Sequence, residues 1–256
     1  MSVIKAIKIG IRKLIKRGSL SWFRLKNSRK EKFTCPICDY YGPFQDKGLG
    51  FRKHARCPNC GALERHRLQF LVLQTVLKKD DLAKLKMLHF APEVFFREYF
   101  MQRVKQYETA DLEMDTVDWN VDIQALPFLD DSYDLVYASH VLEHVYDDKE
   151  AIREICRVLK PGGMAILPIP MVGERTIEYA EPDADEWDHV RAPGLDYFER
   201  FEACFSKVTK FDSTQFPGKH QLFIYEAINE QSIQKVSLGL SADDGRNIDF
   251  VPVCYV

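Results

Sequence analysis

A chain of 256 residues with 46 % hydrophobic content has room for one α/β domain of ordinary size and a small module beside it. No apolar run reaches the roughly 18 residues that a membrane span needs, which excludes a bundle of spanning helices. The net charge is only −2, but residues 1–33 hold eleven Lys/Arg against one acid, Glu31, so +10 sits there and −12 on the remainder. An acidic body argues against nucleic acid as a partner, because phosphates call for a basic face.

Residues 1–33 are a basic amphipathic segment. At 100° per residue Val3, Ile4, Ile7, Ile11, Leu14 and Ile15 share an arc of about 120°. Lys5, Lys8, Arg12, Lys13, Lys16 and Arg17 lie opposite, and Trp22, Phe23 and Leu25 follow. Two readings fit: residues 1–30 as an interfacial helix on an anionic membrane, or a helix docked on the protein's own core with a solvated basic face. Lys and Arg interrupt the apolar residues throughout, unlike a secretory signal. Of the seven cysteines, four form two Cys-x-x-Cys pairs and three are single. That odd count fits a reducing compartment better than a secreted disulfide framework. The expected location is cytoplasmic, at the inner face of the membrane if the basic segment touches lipid.

Residues 34–64 read as a zinc-binding module. Cys35-Pro-Ile-Cys38 and Cys57-Pro-Asn-Cys60 are eighteen residues apart, a spacing that suits two knuckles converging on a closed tetrahedral site of four thiolates. Gly61 allows the tight turn after the last ligand, and Tyr40, Tyr41, Phe44 and Phe51 are available to pack around so small a core. A closed site of this kind is structural and leaves no position for substrate. Residues 65–83 form a connecting helix with Leu68, Leu71, Val72 and Val76 on one face. Its entry, Glu64-Arg65-His66-Arg67, is either a salt-bridged hinge or a wall of the substrate site.

From 84 to 228 strand and helix signals alternate. Lys86 to Ala91 is a strand, Pro92 suits a helix start, and Tyr107 to Leu112 is a second strand. Asp111 closes it, twenty residues past Ala91, where Rossmann-type sheets place the acid that holds ribose hydroxyls. Leu135 to Ala138 is a buried strand. Asp147 and Glu150 then form a capping pair for a helix with Ala151, Ile152, Ile155, Val158 and Leu159 at helical spacing. Lys160-Pro161-Gly162-Gly163 stops it, and Met164 to Ile169 is the next strand. Strand, helix, strand implies a right-handed crossover in a parallel sheet. Ser139-His140-Val-Leu-Glu143-His144 ends a strand at the edge where ligands bind, so His140 faces cofactor or substrate and His144 reaches toward substrate. Met171 to Gly194 is too long for a plain connection. Lys207 to Asp212 and His220 to Ala227 read as the closing hairpin strands, with 229–256 as a C-terminal extension.

This order of residues resembles a family. Asp122 before Leu126-Pro-Phe, then Asp131-Ser-Tyr-Asp-Leu-Val, His140-Val-Leu-Glu-His-Val and Arg157-Val-Leu-Lys-Pro-Gly-Gly looks like a class I S-adenosylmethionine-dependent methyltransferase of the type 11 kind. The resemblance implies a Rossmann-like α/β sheet, mostly parallel, of seven strands with an antiparallel last one. It implies S-adenosylmethionine as cofactor, with Asp122 meeting the adenine amino group and Ile123 flanking the ring. The glycine-rich first turn of that family is replaced here by Ala91-Pro92-Glu93. Leu88-His-Phe-Ala-Pro-Glu93 after a four-cysteine module resembles one subgroup, in which Glu93 accepts from the cofactor's amino group beside Ala91. The subgroup's Asp188-His189-Val190-Arg191 precedes the late helix, as here.

A hydroxyl or ammonium acceptor needs a base. His189 or Asp188 is the first choice and Arg191 the anchor for an anionic group, unless the three merely tie a lid to the sheet. The expected activity is methyl transfer to an O or N atom of a small-molecule, glycan or lipid-linked acceptor. The rival is a non-catalytic zinc-module adaptor on a degenerate Rossmann-like domain, binding protein, nucleic acid or membrane.

Overall fold

Period-2 apolar runs and one well-capped amphipathic helix set the architecture, seen in a computed structural model that describes residues 18–47, 52–225, 241–242 and 246–256. The basic segment before residue 18 therefore lies outside the described residues, as do Phe51 and residues 226–240. Helical residues 18–26 form α1. The module that follows is two small antiparallel pairs, β1 (Phe33–Thr34) with β2 (Tyr41–Gly42), and β3 (Gln45–Lys47) with β4 (Arg52–Arg56). Its core is Phe33, Tyr40, Phe44 and Ala62 around Cys35 and Cys57, with Leu20 of α1 packed against it. Tyr41, expected in that core, is 60 % exposed instead.

Next come α2 (Glu64–Val76), α3 (Lys79–Leu82), β5 (Lys86–Phe90), α4 (Val94–Met101), β6 (Gln106–Asp111), β7 (Trp119–Asn120), β8 (Tyr133–Ala138), α5 (Asp148–Val158) and β9 (Leu159–Ile166). A hairpin of β10 (Ile177–Asp183) and β11 (His189–Ala192) follows, then α6 (Phe198–Glu202), β12 (Lys207–Asp212), β13 (Ile224–Tyr225), β14 (Ser241–Ala242), β15 (Arg246–Asn247) and β16 (Phe250–Tyr255).

The main sheet has seven strands in the order β12-β16-β9-β8-β5-β6-β7. The pairs β5–β6, β5–β8, β6–β7 and β8–β9 are parallel. Only β16 runs against its neighbours, β9 and β12. This is a Rossmann-like sheet, parallel but for its one antiparallel strand.

Alternation along each strand feeds two cores. Leu88 and Phe90 of β5, with Val136 and Ala138 of β8, face α5 and α6. Met87, Leu135 and Tyr137 face the other way, onto α2 and α4. Helix α5 starts as its capping pair requires: Asp147 accepts from the Glu150 amide at 2.9 Å. It buries Ala151, Ile152, Ile155 and Val158, worth about 1.5–3 kcal/mol for each large side chain. In α4 the buried pair is Phe96 and Phe100, while Val94 is 71 % exposed.

Two sequence expectations fail at the C-terminal end. His220 to Ala227 does not close the sheet; Ile224–Tyr225 pairs instead with β15 in a separate three-stranded sheet. The closing strand is Phe250–Tyr255, inside the stretch read as an extension, so the domain does not end at 228. A proline at 252 weighs against a strand there. It is tolerated because its carbonyl still accepts from the Leu167 amide at 3.1 Å.

Candidate functional site

The carboxyl ends of the parallel strands carry the first group of candidates. β5 ends at Phe90, and Ala91 follows with φ +45°. This is the left-handed region that glycine takes freely and alanine enters at a cost of about 1–2 kcal/mol. The turn thus has a glycine-like course without a glycine, held by the Ala91 amide on the Ala110 carbonyl at 3.0 Å.

Glu93 caps α4. Its Oε1 accepts from Arg65 at 3.1 Å and from His66 Nε2 at 2.8 Å. His66 Nδ1 accepts from the Leu63 amide at 3.0 Å, which places the proton on Nε2. Burial alone would raise the Glu93 carboxyl, but His66 and Arg65 outweigh it and hold it down at about 2. The other oxygen, Oε2, is buried with no hydrogen-bond partner among the described residues, a donor-seeking position beside the first turn.

Asp111 closes β6, half-buried, and its Oδ1 takes the Glu113 and Met114 amides at 2.9 Å each. Asp122 stands exposed just beyond β7 with its Oδ1 on the Gln124 amide at 2.9 Å, and Ile123 beside it is buried. His140, two residues past the end of β8, has φ +55°. Its amide donates to the Pro168 carbonyl at 2.9 Å and its Nδ1 meets Glu143 Oε1 at 3.0 Å. Behind it, Tyr137 hydroxyl, Gln69 and Ser139 form a buried chain at 2.7 and 2.9 Å.

Beside this row lies a cavity of about 690 Å³. Its floor is the strand-end loop with His140, Glu143 and His144; the hairpin tip supplies Glu186, Trp187 and His189, and the approach to β16 supplies Asp249. The zinc module and α2 close the other side with Lys47, Arg52 and Arg65. His189 is half-buried, and its ring meets His144 edge-on at 4.7 Å between centroids. Burial lowers its pKa below the usual imidazole value, with Glu143 opposing and His144 adding to the shift. It is therefore neutral at pH 7 and able to accept a proton. Asp249 is buried, and burial raises its carboxyl.

The structure thus brings His140, His144 and His189 to one cavity and leaves Asp188 off its wall, exposed at φ +60°. Arg191 does not serve as an anion anchor. It is buried, and its guanidinium is spent on the carbonyls of Leu142 at 2.7 Å, Val145 at 2.5 Å and Tyr146 at 2.9 Å and on Glu178 at 3.0 Å. It braces the loop that carries Glu143 and His144. Sequence reasoning passed over Glu143 as a site residue, although its spacing of three from His140 was a usable signal. It also missed Asp249, which sat in the presumed extension, and the cavity cations Lys47 and Arg52, while Arg65 falls in the cluster read as either hinge or substrate wall.

The four module cysteines converge. Their Sγ atoms all lie within 4.8 Å of one another, with Cys35–Cys60 and Cys38–Cys57 at 3.6 Å. Ligands at about 2.3 Å from one tetrahedral ion would stand about 3.8 Å apart, so the set fits zinc. Each knuckle closes on a left-handed residue, Asp39 at φ +55° and Gly61 at φ +84°. His54 and His66 lie outside the cluster among the described residues.

Residues 93–167 match the "Methyltransferase domain" family model, Methyltransf_11. That stretch runs from Glu93 through Asp111, Asp122 and the His140–His144 loop to the end of β9. A ubiquinone/menaquinone biosynthesis C-methyltransferase of Stenotrophomonas maltophilia is 42 % identical over 74 residues, 29 % of this chain and 25 % of that protein. A demethylmenaquinone methyltransferase of Clavibacter sepedonicus is 39 % identical over 59 residues, 21 % of this chain and 24 % of that one. The chain spans about a quarter of the length of these curated relatives. Among solved structures, an S-adenosylmethionine-dependent methyltransferase of Mesorhizobium loti is 14 % identical with a TM-score of 0.48, covering 74 % of this chain and 98 % of that one. A Burkholderia thailandensis N1-methyltransferase with bound 1,6-didemethyltoxoflavin and S-adenosylhomocysteine is 12 % identical with a TM-score of 0.46, covering 67 % and 70 %.

Proposed function

We propose that this chain is an S-adenosylmethionine-dependent methyltransferase acting on an oxygen or nitrogen atom of an acceptor bound in the 690 Å³ cavity. The observation that carries it is the set of acids at consecutive strand ends, Glu93, Asp111 and Asp122, within the stretch that matches the methyltransferase model. A carboxylate accepts from two vicinal hydroxyls at once, which suits Asp111 to a ribose. Asp122 and Ile123 suit an adenine edge and face. The unpartnered Glu93 Oε2 suits an ammonium group, and Ala91 lets backbone approach as a glycine would. The cofactor, when bound, supplies a methyl group activated on a sulfonium sulfur.

His140 stands between this row and the cavity. His189, with His144 against it, is the group placed to take the acceptor's proton. Asp188 is one residue away on the hairpin and reaches the site only if the tip moves. Lys47, Arg52 and Arg65 favour an acceptor with an anionic group, whether small molecule, glycan or lipid-linked precursor. Some relatives are named C-methyltransferases, but those compared match less than a third of this chain and about a quarter of their own length, so they carry no preference for the accepting atom. The four-cysteine cluster is read as one structural zinc. The adaptor reading loses ground because the glycine-less turn keeps a glycine-like course.

Calorimetric titration with S-adenosylhomocysteine tests the proposal. Wild type should bind, and Asp111→Ala and Asp122→Ala should each weaken binding by roughly 1–3 kcal/mol, the cost of unpaired buried donors. If wild type binds neither this ligand nor S-adenosylmethionine at millimolar concentration, the adaptor reading replaces it.

A further inference from the structure

Glu143, His144 and His189 offer one ligand atom each, all within 4.8 Å of one another. Glu143 is the unusual member. Its side chain is fully buried, yet it lines the cavity. His140 holds Oε1 at 3.0 Å, and Oε2 is buried with no partner among the described residues. A buried carboxylate oxygen left unsatisfied is costly. One oxygen of this carboxylate lies within 4.8 Å of a ring nitrogen of each of two imidazoles, whose rings meet at 4.7 Å. His144 is exposed and free to turn, whereas His189 is seated on β11.

We propose that Glu143, His144 and His189 bind a divalent transition cation on the acceptor side of the cavity. Two imidazoles and one carboxylate form the donor set of Zn²⁺, Mn²⁺ and Fe²⁺ sites that keep open positions. It differs in kind from the closed thiolate site of the module. Ligand distances of about 2.0–2.2 Å around a tetrahedral ion put the donors about 3.4 Å apart, so a set that lies within 4.8 Å needs only to draw in slightly, which rotation of the exposed His144 supplies. Supporting residues are in place. His140 orients the carboxylate, as outer-shell partners of metal ligands do. Arg191 joins the two ligand-bearing elements, reaching from β11 to the carbonyls of Leu142, Val145 and Tyr146. It is a positioning residue.

The open positions would take an acceptor through two oxygens, or through oxygen and nitrogen, so the acceptor is a chelating one. This rests on the cavity being the acceptor site. With the cation bound, the imidazoles act as ligands, and a ligated hydroxyl loses its proton more readily. Metal content therefore decides between that role and His189 as a free base.

The test is titration of full-length, zinc-replete protein with Mn²⁺, which prefers nitrogen and oxygen donors to thiolates. One equivalent beyond the module's zinc should bind. Glu143→Gln and the surface variant His144→Ala should each weaken it at least ~10-fold, the loss usual when a metal shell is damaged. Arg153→Ala, far from the cavity, should leave it unchanged. S-adenosylhomocysteine titration of the same samples keeps the two proposals apart, because its binding should survive both variants. No Mn²⁺ uptake by wild type, or unchanged uptake by His144→Ala and Glu143→Gln, overturns the site whether or not the nucleoside ligand binds.

Discussion

His89 lies in the middle of β5 with its whole side chain inside the protein. Its Nδ1 meets the Tyr107 hydroxyl at 2.8 Å, Nε2 has no partner, and Phe100 and Tyr137 stand edge-on to the ring. Burial lowers its pKa to about 3. The folded-state value lies below the ordinary one near 6.5, so the unfolded chain takes up the proton first as the pH falls. The contribution to stability is complete above pH 6.5 and is lost toward pH 3 at about 1.4 kcal/mol per unit. Unfolding free energies from urea titrations at pH 7.5 and 5.0 should differ by about 2 kcal/mol from this residue. His66, lowered chiefly by burial, adds in the same direction. Glu93, held at about 2, acts only below pH 4.5 and does not enter this window. His89→Phe should lessen the pH slope. Equal losses in wild type and variant would remove His89 as the cause.

At the scale of elements, legibility followed the range of the signal. Helix α5 was readable because cap and apolar face lie within its own length, but it ends at Val158, and Leu159 with the expected Lys160–Gly163 stop belongs to β9 instead, paired to β8. The cysteine cluster was readable from spacing, and the position of Asp111 at a strand end from the strand signal before it, whereas Asp122 came only with the family resemblance. β16 was not readable. It enters between β9 and β12 through pairings with distant segments, and its own sequence carries a proline. In the better-looking stretch, the carbonyls of His220 and Gln221 instead accept from Arg67, a contact no periodicity reveals. The His144–His189 contact joins residues far apart in sequence and needs the hairpin, which read only as a long loop.

The basic segment divides in the same way. Leu20 of α1 packs on the module and Arg24 donates to the Tyr41 carbonyl at 2.8 Å, while Trp22 is 63 % and Leu25 75 % exposed. α1 is thus docked on one side and open on the other, which leaves an apolar anchor available to an anionic membrane. Full-length protein should float with anionic vesicles at low salt, and less with added salt. A chain beginning at Lys32 should stay behind. Identical behaviour of the two would leave α1 as a docked helix only.

Over the whole molecule, Arg67 ties the four-cysteine module to the segment that follows β12. It is fully buried and donates to Ala55 and Ala62 carbonyls of the module, 2.9 Å each. On the other side it donates to the His220 carbonyl at 2.9 Å and to the Gln221 carbonyl at 2.5 Å. Its guanidinium also stacks on Phe44 at 4.5 Å, and His220 returns a bond to the Thr34 carbonyl at 2.8 Å. Such an arginine cannot shed its charge, so removing the module strands part of a buried cation.

The metal should therefore stabilise the body as well as the module. Elemental analysis of purified protein should find about one zinc per chain in the thiolate site. Cys57→Ser should lose it. Because Arg67 then loses two acceptors, the variant's main unfolding transition should move down as well, by an amount matching roughly 1–3 kcal/mol. A module that merely hangs from the sheet would behave otherwise. In that case Cys57→Ser would lose zinc while the main calorimetric transition stayed where it is in wild type, and the coupling through Arg67 would be refuted.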